Sequence, residues 1–275
     1  MSNEPAPRWR EIAPAKLNLA LHVRGKLPDG RHAIETVFAF CIDGDRLSAA
    51  ESSELALTIE GPFADQLFAS EDENLIIRAA IELAAHAGVD CRAALRLDKR
   101  LPVAAGLGGG SADAAAALRL LTAMWGVDPA HAAAVAPRLG ADVPACLLSM
   151  TCRGEGVGDR LQLVDDPSIA GSPVLLVNPR VTISTREAFA RWDGVDGGVL
   201  GEWRDGRNDL EGPALAVAPE VAEVLGWLRG QDGADVVRMT GSGATCFALF
   251  GDDTARDRAA EAVPGQWWHL ATALR

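Results

Sequence analysis

One glycine-rich stretch, residues 101–113, constrains the fold of this chain more than any other part of its sequence. It reads Leu-Pro-Val-Ala-Ala-Gly-Leu-Gly-Gly-Gly-Ser-Ala-Asp and is followed by alanine-rich residues up to Met124. Glycine adopts positive φ and lets a ligand approach the main chain closely. Ser111 is a favoured helix N-cap residue, and alanine is the best helix former. The sequence therefore predicts a bare loop leading into a helix N-terminus, where free N–H groups and the helix dipole favour a polyphosphate.

Other types of glycine loop fit this stretch less well. A P-loop needs Gly-Lys followed by Ser or Thr, and no Gly-Lys follows this loop. The dinucleotide fingerprint of an NAD-binding oxidoreductase fits Gly106 and Gly108, but Ser111 stands at its third glycine. The protein-kinase motifs are absent. A plain surface turn is the remaining alternative, but it would not require four glycines before a capped helix.

Length and charge narrow the class of protein. A chain of 275 residues can bury the core of one large or two small domains. Its formal net charge of −12 disfavours binding to nucleic acid or to an anionic membrane, because both need a basic surface. A local basic pocket for phosphates is still compatible with that charge. The sequence carries no signal for an oligomeric state.

Cysteine usage and the start of the chain indicate a cellular compartment. The five cysteines form no Cys-x-x-Cys pair and no metal-binding spacing, which is typical of reduced thiols in a cytosolic protein. The first ten residues contain no apolar leader core, and no apolar run reaches the length of a membrane span. We therefore expect a soluble, cytoplasmic protein with no membrane partner.

Hydrophobic periodicity predicts a mixture of strands and helices without a regular βαβ alternation, which indicates the α+β class. The predicted strands are 15–23, 34–40, a pair within 45–60, 93–97, 174–177, a pair within 235–250, and a last strand at the end of the chain. The predicted helices are 74–86, 111–125, 130–139, 184–192, 219–229 and 254–262. Glycines at 154, 156 and 158 predict a loop, and we place a domain boundary near residue 160.

Three separated segments together resemble the motifs of the GHMP kinases, the family that includes galactokinase and the homoserine, mevalonate and phosphomevalonate kinases. They are Pro-Ala-Lys-Leu-Asn-Leu from Pro14, the glycine stretch 101–113, and Met-Thr-Gly-Ser-Gly-Ala-Thr-Cys from Met239. The resemblance implies a two-lobed fold. An N-terminal α/β ATP-binding lobe would span residues 1–160, and a C-terminal ferredoxin-like α/β lobe would span residues 161–275.

Three further segments narrow the resemblance to one branch of the family. They are Asp-Gly-Arg-His at 29–32, Asp-Glu-Asn-Leu-Ile-Ile-Arg-Ala-Ala at 72–80 and Gly-Ala-Asp-Val-Pro at 140–144. The set is most similar to kinases that phosphorylate the 2-hydroxyl of 4-(cytidine diphospho)-2-C-methyl-D-erythritol in the non-mevalonate isoprenoid route. The implied small-molecule substrates are thus ATP and a cytidine-diphosphate-linked polyol.

The resemblance implies that Lys16 and Asp142 are catalytic and that Asn18 positions the substrate. In that role Asp142 orients the acceptor hydroxyl and takes its proton, while Lys16 offsets charge on the phosphoryl group. The residues alone leave simpler interpretations open. Lys16 and Asn18 alternate with leucines, as on a solvated edge strand with one apolar face, and Asp142 stands where a helix N-cap is expected.

The glycine stretch would wrap the ATP phosphates, with Asn74 near adenine; capping of the helix at 74–86 is an equally good interpretation of Asn74. The implied ATP-binding residues, besides Asn74, are Pro102, Val103, Ala104, Ala105, Gly106, Leu107, Gly108, Gly109, Gly110, Ser111 and Ala112. Mg²⁺ is expected, because ATP-dependent kinases use it to neutralise the β- and γ-oxygens. No carboxylate stands out as its ligand.

The cytidine end of the substrate would meet His32 and Phe189, with Thr185, Thr240 and Gly241 completing the substrate site by resemblance. Arg31 occupies the position of an aromatic residue in the family, so one stacking contact is either made by its guanidinium plane or lost.

Two alternative functions stay open at this point. The first is another GHMP kinase that acts on a small alcohol such as mevalonate or homoserine, although such an acceptor has no base for His32 and Phe189 to bind. The second is a non-catalytic nucleotide-binding protein, which would need neither Lys16 nor Asp142.

Overall fold

The computed structural model describes residues 8–67 and 74–275, which form two compact units of interleaved segments. The first unit contains the described residues of 1–14, 44–103 and 109–148, and the second contains 15–43, 104–108 and 149–275. Most of the start of the chain, where the sequence predicts no leader, lies outside the described residues. So do Asp72 and Glu73 of the motif at 72–80.

The described residues form strands and helices in nearly equal measure, as the α+β class predicts. The strands are β1 (Trp9–Lys26), β2 (His32–Ala50), β3 (Leu55–Glu60), β4 (Ala93–Asp98), β5 (Cys152–Glu155), β6 (Arg160–Leu163), β7 (Pro173–Asn178), β8 (Ala234–Met239), β9 (Cys246–Phe250) and β10 (Trp268–Ala273). The helices are α1 (Leu75–Ala87), α2 (Gly109–Trp125), α3 (Pro129–Leu139), α4 (Val143–Leu148), α5 (Thr185–Ala190), α6 (Glu211–Val217), α7 (Glu220–Arg229) and α8 (Asp253–Glu261).

In the first unit, β4 separates two strands that the sequence predicts as a pair. The second half of β2 runs antiparallel to β4, and β3 runs parallel to the other edge of β4. The strands predicted within 45–60 are therefore present but not adjacent. The physical reason is that β2 and β3 each pair with β4, which lies more than thirty residues later in the chain, instead of pairing with each other across the short turn between them.

In the first unit, helices α1, α3 and α4 each pack against α2. Alanines 112 and 114–117 of α2 are at most 1% exposed, and such small side chains let neighbouring helices approach closely. α1 begins after its N-cap Asn74 and ends at Gly88, which adopts left-handed φ of 70°. α2 begins at Gly109, so the prediction of Ser111 as its N-cap is wrong.

The second unit contains an antiparallel sheet in the order β10-β7-β9-β8. Helices α5, α6 and α7 connect β7 to β8, and α8 connects β9 to β10. This βαββαβ order is the ferredoxin-like arrangement that the family resemblance implies for the C-terminal lobe. The prediction missed the short helix α6, whose Gly212-Pro213 step has poor helix propensity. It also missed the β5–β6 hairpin, which contains Gly154 within a strand.

Candidate functional site

Lys16 and Asn18 lie on the polar face of β1, and both side chains are buried, at 4% and 2% exposure. The ammonium of Lys16 donates a hydrogen bond to Asn18 Oδ1 over 2.9 Å. His22, on the same face, is also buried. A solvated edge strand is therefore the wrong interpretation of this face.

Asn18 connects β1 to two other elements of the second unit. Its Nδ2 donates to the Thr36 hydroxyl on β2 over 2.8 Å, and Thr36 in turn donates to the carbonyl of Ala20 over 2.6 Å. Its backbone N–H donates to the Thr240 hydroxyl, also over 2.8 Å. Because Thr36 and Thr240 are both fully buried, this network holds the Asn18 side chain in one orientation.

Residues 104–108, which belong to the glycine-rich stretch 101–113 (the glycine loop), form backbone hydrogen bonds with β1 and with the turn at 240–245. The backbone N–H of Lys16 donates to the carbonyl of Leu107 over 3.0 Å, and that of Thr245 donates to the carbonyl of Ala105 over 3.2 Å. Ala105 and Leu107 are buried, whereas Gly106 between them has φ of 78°. The alternation anchors the loop through its apolar residues and leaves its glycines at the more exposed positions.

Close approach between two glycine turns requires glycine at Gly106. A side chain there would stand 2.8 Å from the carbonyl oxygen of Gly243, in the turn between β8 and β9. A side chain at Gly241, in the same turn, would likewise stand 2.8 Å from the carbonyl oxygen of Gly106. The second glycine segment, which the resemblance assigns to the substrate site, therefore packs directly against the first.

Asn208 holds the second glycine turn in place and was missed by sequence reasoning. Its Nδ2 donates to the carbonyls of Met239 and Gly241, each over 2.8 Å. A single asparagine after an irregular stretch carries no signal for this role, because its partners are more than thirty residues away.

In the first unit, a buried ionic cluster of Lys99, Asp45 and Asp113 supports the start of α2. Lys99 Nζ lies 2.5 Å from Asp45 Oδ2 and 2.6 Å from Asp113 Oδ2. Asp45 Oδ1 also accepts backbone hydrogen bonds from Arg100 and Leu101, over 2.5 and 2.8 Å. The cluster therefore ties β2, the end of β4 and the first turns of α2 together. Sequence reasoning missed it, because Asp-Lys-Arg at 98–100 resembles an exposed charged run.

Burial and the neighbouring charges shift the pKa values of two members of this cluster, Asp113 and Lys99. Burial raises the pKa of Asp113 to about 7, against the lowering effect of the Lys99 charge. Burial alone would lower the pKa of Lys99, but the charges of Asp113 and Asp45 outweigh it and raise that pKa. Asp113 Oδ1 has no hydrogen-bond partner among the described residues.

Asp142 lies directly before α4 in the first unit, and its carbonyl accepts the hydrogen bond of Cys146 N–H over 3.0 Å. The side chain is partly exposed. Asp142 therefore stands directly before the first residue of α4 and accepts a backbone hydrogen bond from that helix, which agrees with its interpretation as a helix N-cap. A common site for Asp142 and Lys16 stays a prediction.

Asn74 caps α1, since its side-chain oxygen accepts a hydrogen bond from Ile76 N–H over 2.9 Å. The capping interpretation is thus confirmed, and contact with adenine stays a prediction.

His32 and Phe189 lie together in the second unit. Their rings stack with centroids 4.8 Å apart and an interplanar angle of 23°. Burial, followed by the nearby charge of Lys26, lowers the pKa of His32, which favours the neutral imidazole. The hydroxyl of Thr185, at the start of α5, lies 3.0 Å from that of Ser242. These contacts connect three elements of the second unit that carry residues predicted to bind the substrate. They are β2, α5 and the turn at 240–245.

The described residues contain no group of three or more His, Cys, Asp or Glu side chains arranged to hold a metal ion. Within the same residues, no helix has the length and apolar character needed to cross a membrane.

Family models and known proteins match most of this chain. The N-terminal domain model of the GHMP kinases matches residues 74–150, and the C-terminal model matches residues 187–269. The 4-diphosphocytidyl-2-C-methyl-D-erythritol kinase of Rhizorhabdus wittichii is 51% identical over 99% of this chain and 97% of its own length.

A crystal structure of a 4-(cytidine 5'-diphospho)-2C-methyl-D-erythritol kinase superposes with a TM-score of 0.83 and 34% identity, covering 96% of this chain and 98% of its own. The homoserine kinase of Cytophaga hutchinsonii shares the fold, with a TM-score of 0.70 and 16% identity over 100% of this chain and 97% of its own. With more than half of its length matched by the two family models and a near full-length relative at 51% identity, the chain belongs to the GHMP kinases.

Proposed function

We propose that this chain transfers the γ-phosphate of ATP to the 2-hydroxyl of 4-(cytidine diphospho)-2-C-methyl-D-erythritol. The observation that carries the proposal is the buried ammonium of Lys16, fixed by Asn18 on a strand whose backbone is bonded to the glycine loop at Leu107. A buried lysine is expensive to desolvate, so its retention beside an anion-binding loop favours a role in chemistry. The near full-length similarity to kinases of this substrate supports the same acceptor.

The glycine loop would bind the triphosphate through its main chain. Ala104, Gly106 and Gly108 all have positive φ, which turns successive peptide groups in a way that regular structure does not allow. α2 begins immediately afterwards at Gly109, and its N-terminal N–H groups add a favourable dipole for phosphate oxygens. Pro102 to Ala112 therefore form the proposed phosphate cradle.

Mg²⁺ would enter as part of the ATP substrate. The described residues contain no group of three or more His, Cys, Asp or Glu side chains that could hold a metal ion, and we place Mg²⁺ on the ATP phosphates. Phosphate oxygens and water suit this ion, which dehydrates reluctantly and keeps several waters. Its bound charge would neutralise the β- and γ-oxygens during transfer.

Asp142 and Lys16 would perform the transfer. The transition state of phosphoryl transfer is loose, so positioning and charge stabilisation supply most of the catalysis. Asp142 would accept the proton of the acceptor hydroxyl as the new P–O bond forms. Lys16 would stabilise the charge on the transferring phosphoryl oxygens, and Asn18 would keep its ammonium in place.

His32 and Phe189 would bind the cytosine of the acceptor. A neutral imidazole offers one donor and one acceptor nitrogen, and the lowered pKa of His32 favours this form. The partly exposed ring of Phe189 offers a surface for stacking a base. Thr185, Thr240 and Gly241 belong to the same proposed substrate site. Because Thr240 is buried, we propose that it contributes by stabilising the conformation of its turn and not by direct contact with the substrate. We place the reaction in the cytoplasm, where ATP is available.

The deciding experiment measures phosphate transfer from ATP to the cytidylyl methylerythritol, to mevalonate and to homoserine under identical conditions. We expect product only with the cytidylyl acceptor. Transfer to mevalonate or homoserine alone would assign a different kinase function. Binding of ATP without transfer to any acceptor would favour a nucleotide-binding protein.

A further inference from the structure

A third ring, Trp192, belongs to the cluster around His32. Its indole meets His32 edge-on, with centroids 5.7 Å apart and an interplanar angle of 89°. The backbone N–H of Trp192 donates to the carbonyl of Phe189 over 3.2 Å, which links the main chain of Trp192 to the end of α5. The three side chains are partly exposed, and Phe189 and Trp192 rest on the hydrophobic core of the second unit. They form a supported aromatic surface that solvent can reach.

Arg31, the residue beside His32, is engaged elsewhere. Its guanidinium pairs with Asp29, with Nε and Nη2 lying 2.8 and 2.7 Å from Asp29 Oδ2. Its backbone N–H also donates to Asp29 Oδ1 over 3.0 Å. In the part of the chain that the structure describes, the Arg31 guanidinium makes no cation–π contact with a ring. Stacking of Arg31 on a base would require it to leave this arrangement, whereas Trp192 already touches His32.

We propose that Trp192, and not Arg31, supplies the aromatic contact that complements Phe189 and His32 in binding the cytosine of the acceptor. This inference rests on the proposed function, and it assigns a specificity-determining residue to the same substrate site. The indole has the largest π-face of any side chain, and its N–H donates to no acceptor among the described residues. Cytosine presents a π-face for stacking, and its carbonyl oxygen and ring nitrogen are acceptors for such a donor.

The test compares Trp192→Leu with two other variants, Arg31→Ala and Trp227→Leu. Trp227 is the matched control, because it is also partly buried against the core of the second unit and also makes an edge-on aromatic contact, to Trp267 at 5.9 Å and 76°. Losing one stacked aromatic side chain weakens base binding by about tenfold or more. Trp192→Leu should therefore raise the KM for the cytidylyl acceptor by about tenfold or more, with the KM for ATP and kcat near those of the wild type.

Trp192→Phe should restore most of the affinity, which a loss of folding alone would not predict. A thermal midpoint for each variant, and calorimetric titration with CMP as a probe of the base contact, separate binding from stability. An unchanged acceptor KM in Trp192→Leu, an equal rise in Trp227→Leu, or a rise only in Arg31→Ala would overturn the inference. Wild-type protein that phosphorylates no cytidylyl acceptor would instead refute the proposed function, so the two failures are distinguishable.

Discussion

The Lys16 ammonium donates a 2.9 Å hydrogen bond to the side-chain oxygen of Asn18, two residues further along the same face of β1. Residues two apart on a strand point to the same side, so the strand itself sets this pair. Asn18 is in turn fixed by Thr36 and Thr240. The position of a charged group on β1 thus depends on residues of β2 and of the turn after β8.

Asn18→Ala should lower kcat by about 100-fold, because a displacement of about 1 Å at a reacting group is enough for such a loss. The KM for ATP should change far less, since the loop backbone and not Asn18 is proposed to bind the phosphates. Steady-state kinetics with both substrates check this split. Asn178→Ala is the control: it also removes a buried amide, bonded to Thr245 over 2.9 Å, but it leaves Lys16 in place and should keep kcat near the wild type. Equal losses of kcat in the two variants would assign Asn18 a purely structural role.

Asp142→Asn should keep the affinity for ATP and lose most turnover, by about 100- to 10,000-fold if Asp142 is the general base. The substitution conserves shape and removes the charge. Isothermal titration with ATP and single-turnover phosphate transfer measure the two properties separately. Asp159→Asn, at an exposed carboxylate in the β5–β6 hairpin, makes the same charge change and should leave turnover unaffected. Near-normal turnover in Asp142→Asn would show that Asp142 is not the general base and has only a structural role at the start of α4.

Local sequence signals predicted the helices and strands that have a capping residue or a glycine at their ends. α1 is an example, since an Asn74 cap and a left-handed Gly88 bracket an apolar helical repeat. The order of β2, β4 and β3 was not predictable in the same way. Pairing between strands far apart in sequence leaves no local pattern, and the Glu-Ser-Ser-Glu turn at 51–54 favoured the wrong neighbour.

The candidate site shows the same division. The four glycines before α2 predict a phosphate-binding loop from the local sequence, whereas only the resemblance to the family predicts roles for Lys16 and Asn18. Periodicity alone could not distinguish their face from a solvated one, because burial of a polar face depends on what packs against it. Lys99 is the clearest case: nothing near it in sequence reveals that Asp45, 54 residues earlier, accepts its hydrogen bond.

Gly106→Ala should weaken ATP binding by about tenfold or more, because it adds both backbone strain and a steric clash. A left-handed backbone alone costs a non-glycine residue about 1–2 kcal/mol. At Gly106 the new methyl would also lie 2.8 Å from the Gly243 carbonyl, so the loop or the turn must move. Gly88→Ala separates the two effects, since Gly88 has φ of 70° but no atom within 4 Å of the place that a methyl group would take. ATP titration measures the affinity of both variants, and thermal midpoints report their stability. Equal ATP affinities in Gly106→Ala and Gly88→Ala would contradict the prediction.

The Asp113 carboxyl should make folding stability depend on pH between about 4 and 7. Its pKa is raised to about 7 in the folded protein, chiefly by burial, from 3.8 in the unfolded chain. Between these values the folded state binds more protons than the unfolded state, so this group stabilises the fold at low pH and loses that contribution as pH rises toward 7. The limiting slope for one such group is about 1.4 kcal/mol per pH unit.

Asp113→Asn mimics the protonated carboxyl and should remove this pH dependence. The free energy of unfolding in urea, measured at pH 5, 6, 7 and 8, should fall in the wild type relative to the variant by about 1–3 kcal/mol across this range. Asp90→Asn, at an exposed aspartate of the same unit, removes an identical charge and should give a curve parallel to the wild type. Parallel curves for Asp113→Asn and the wild type would mean that Asp113 stays ionised beside Lys99 throughout, and that burial does not control its protonation.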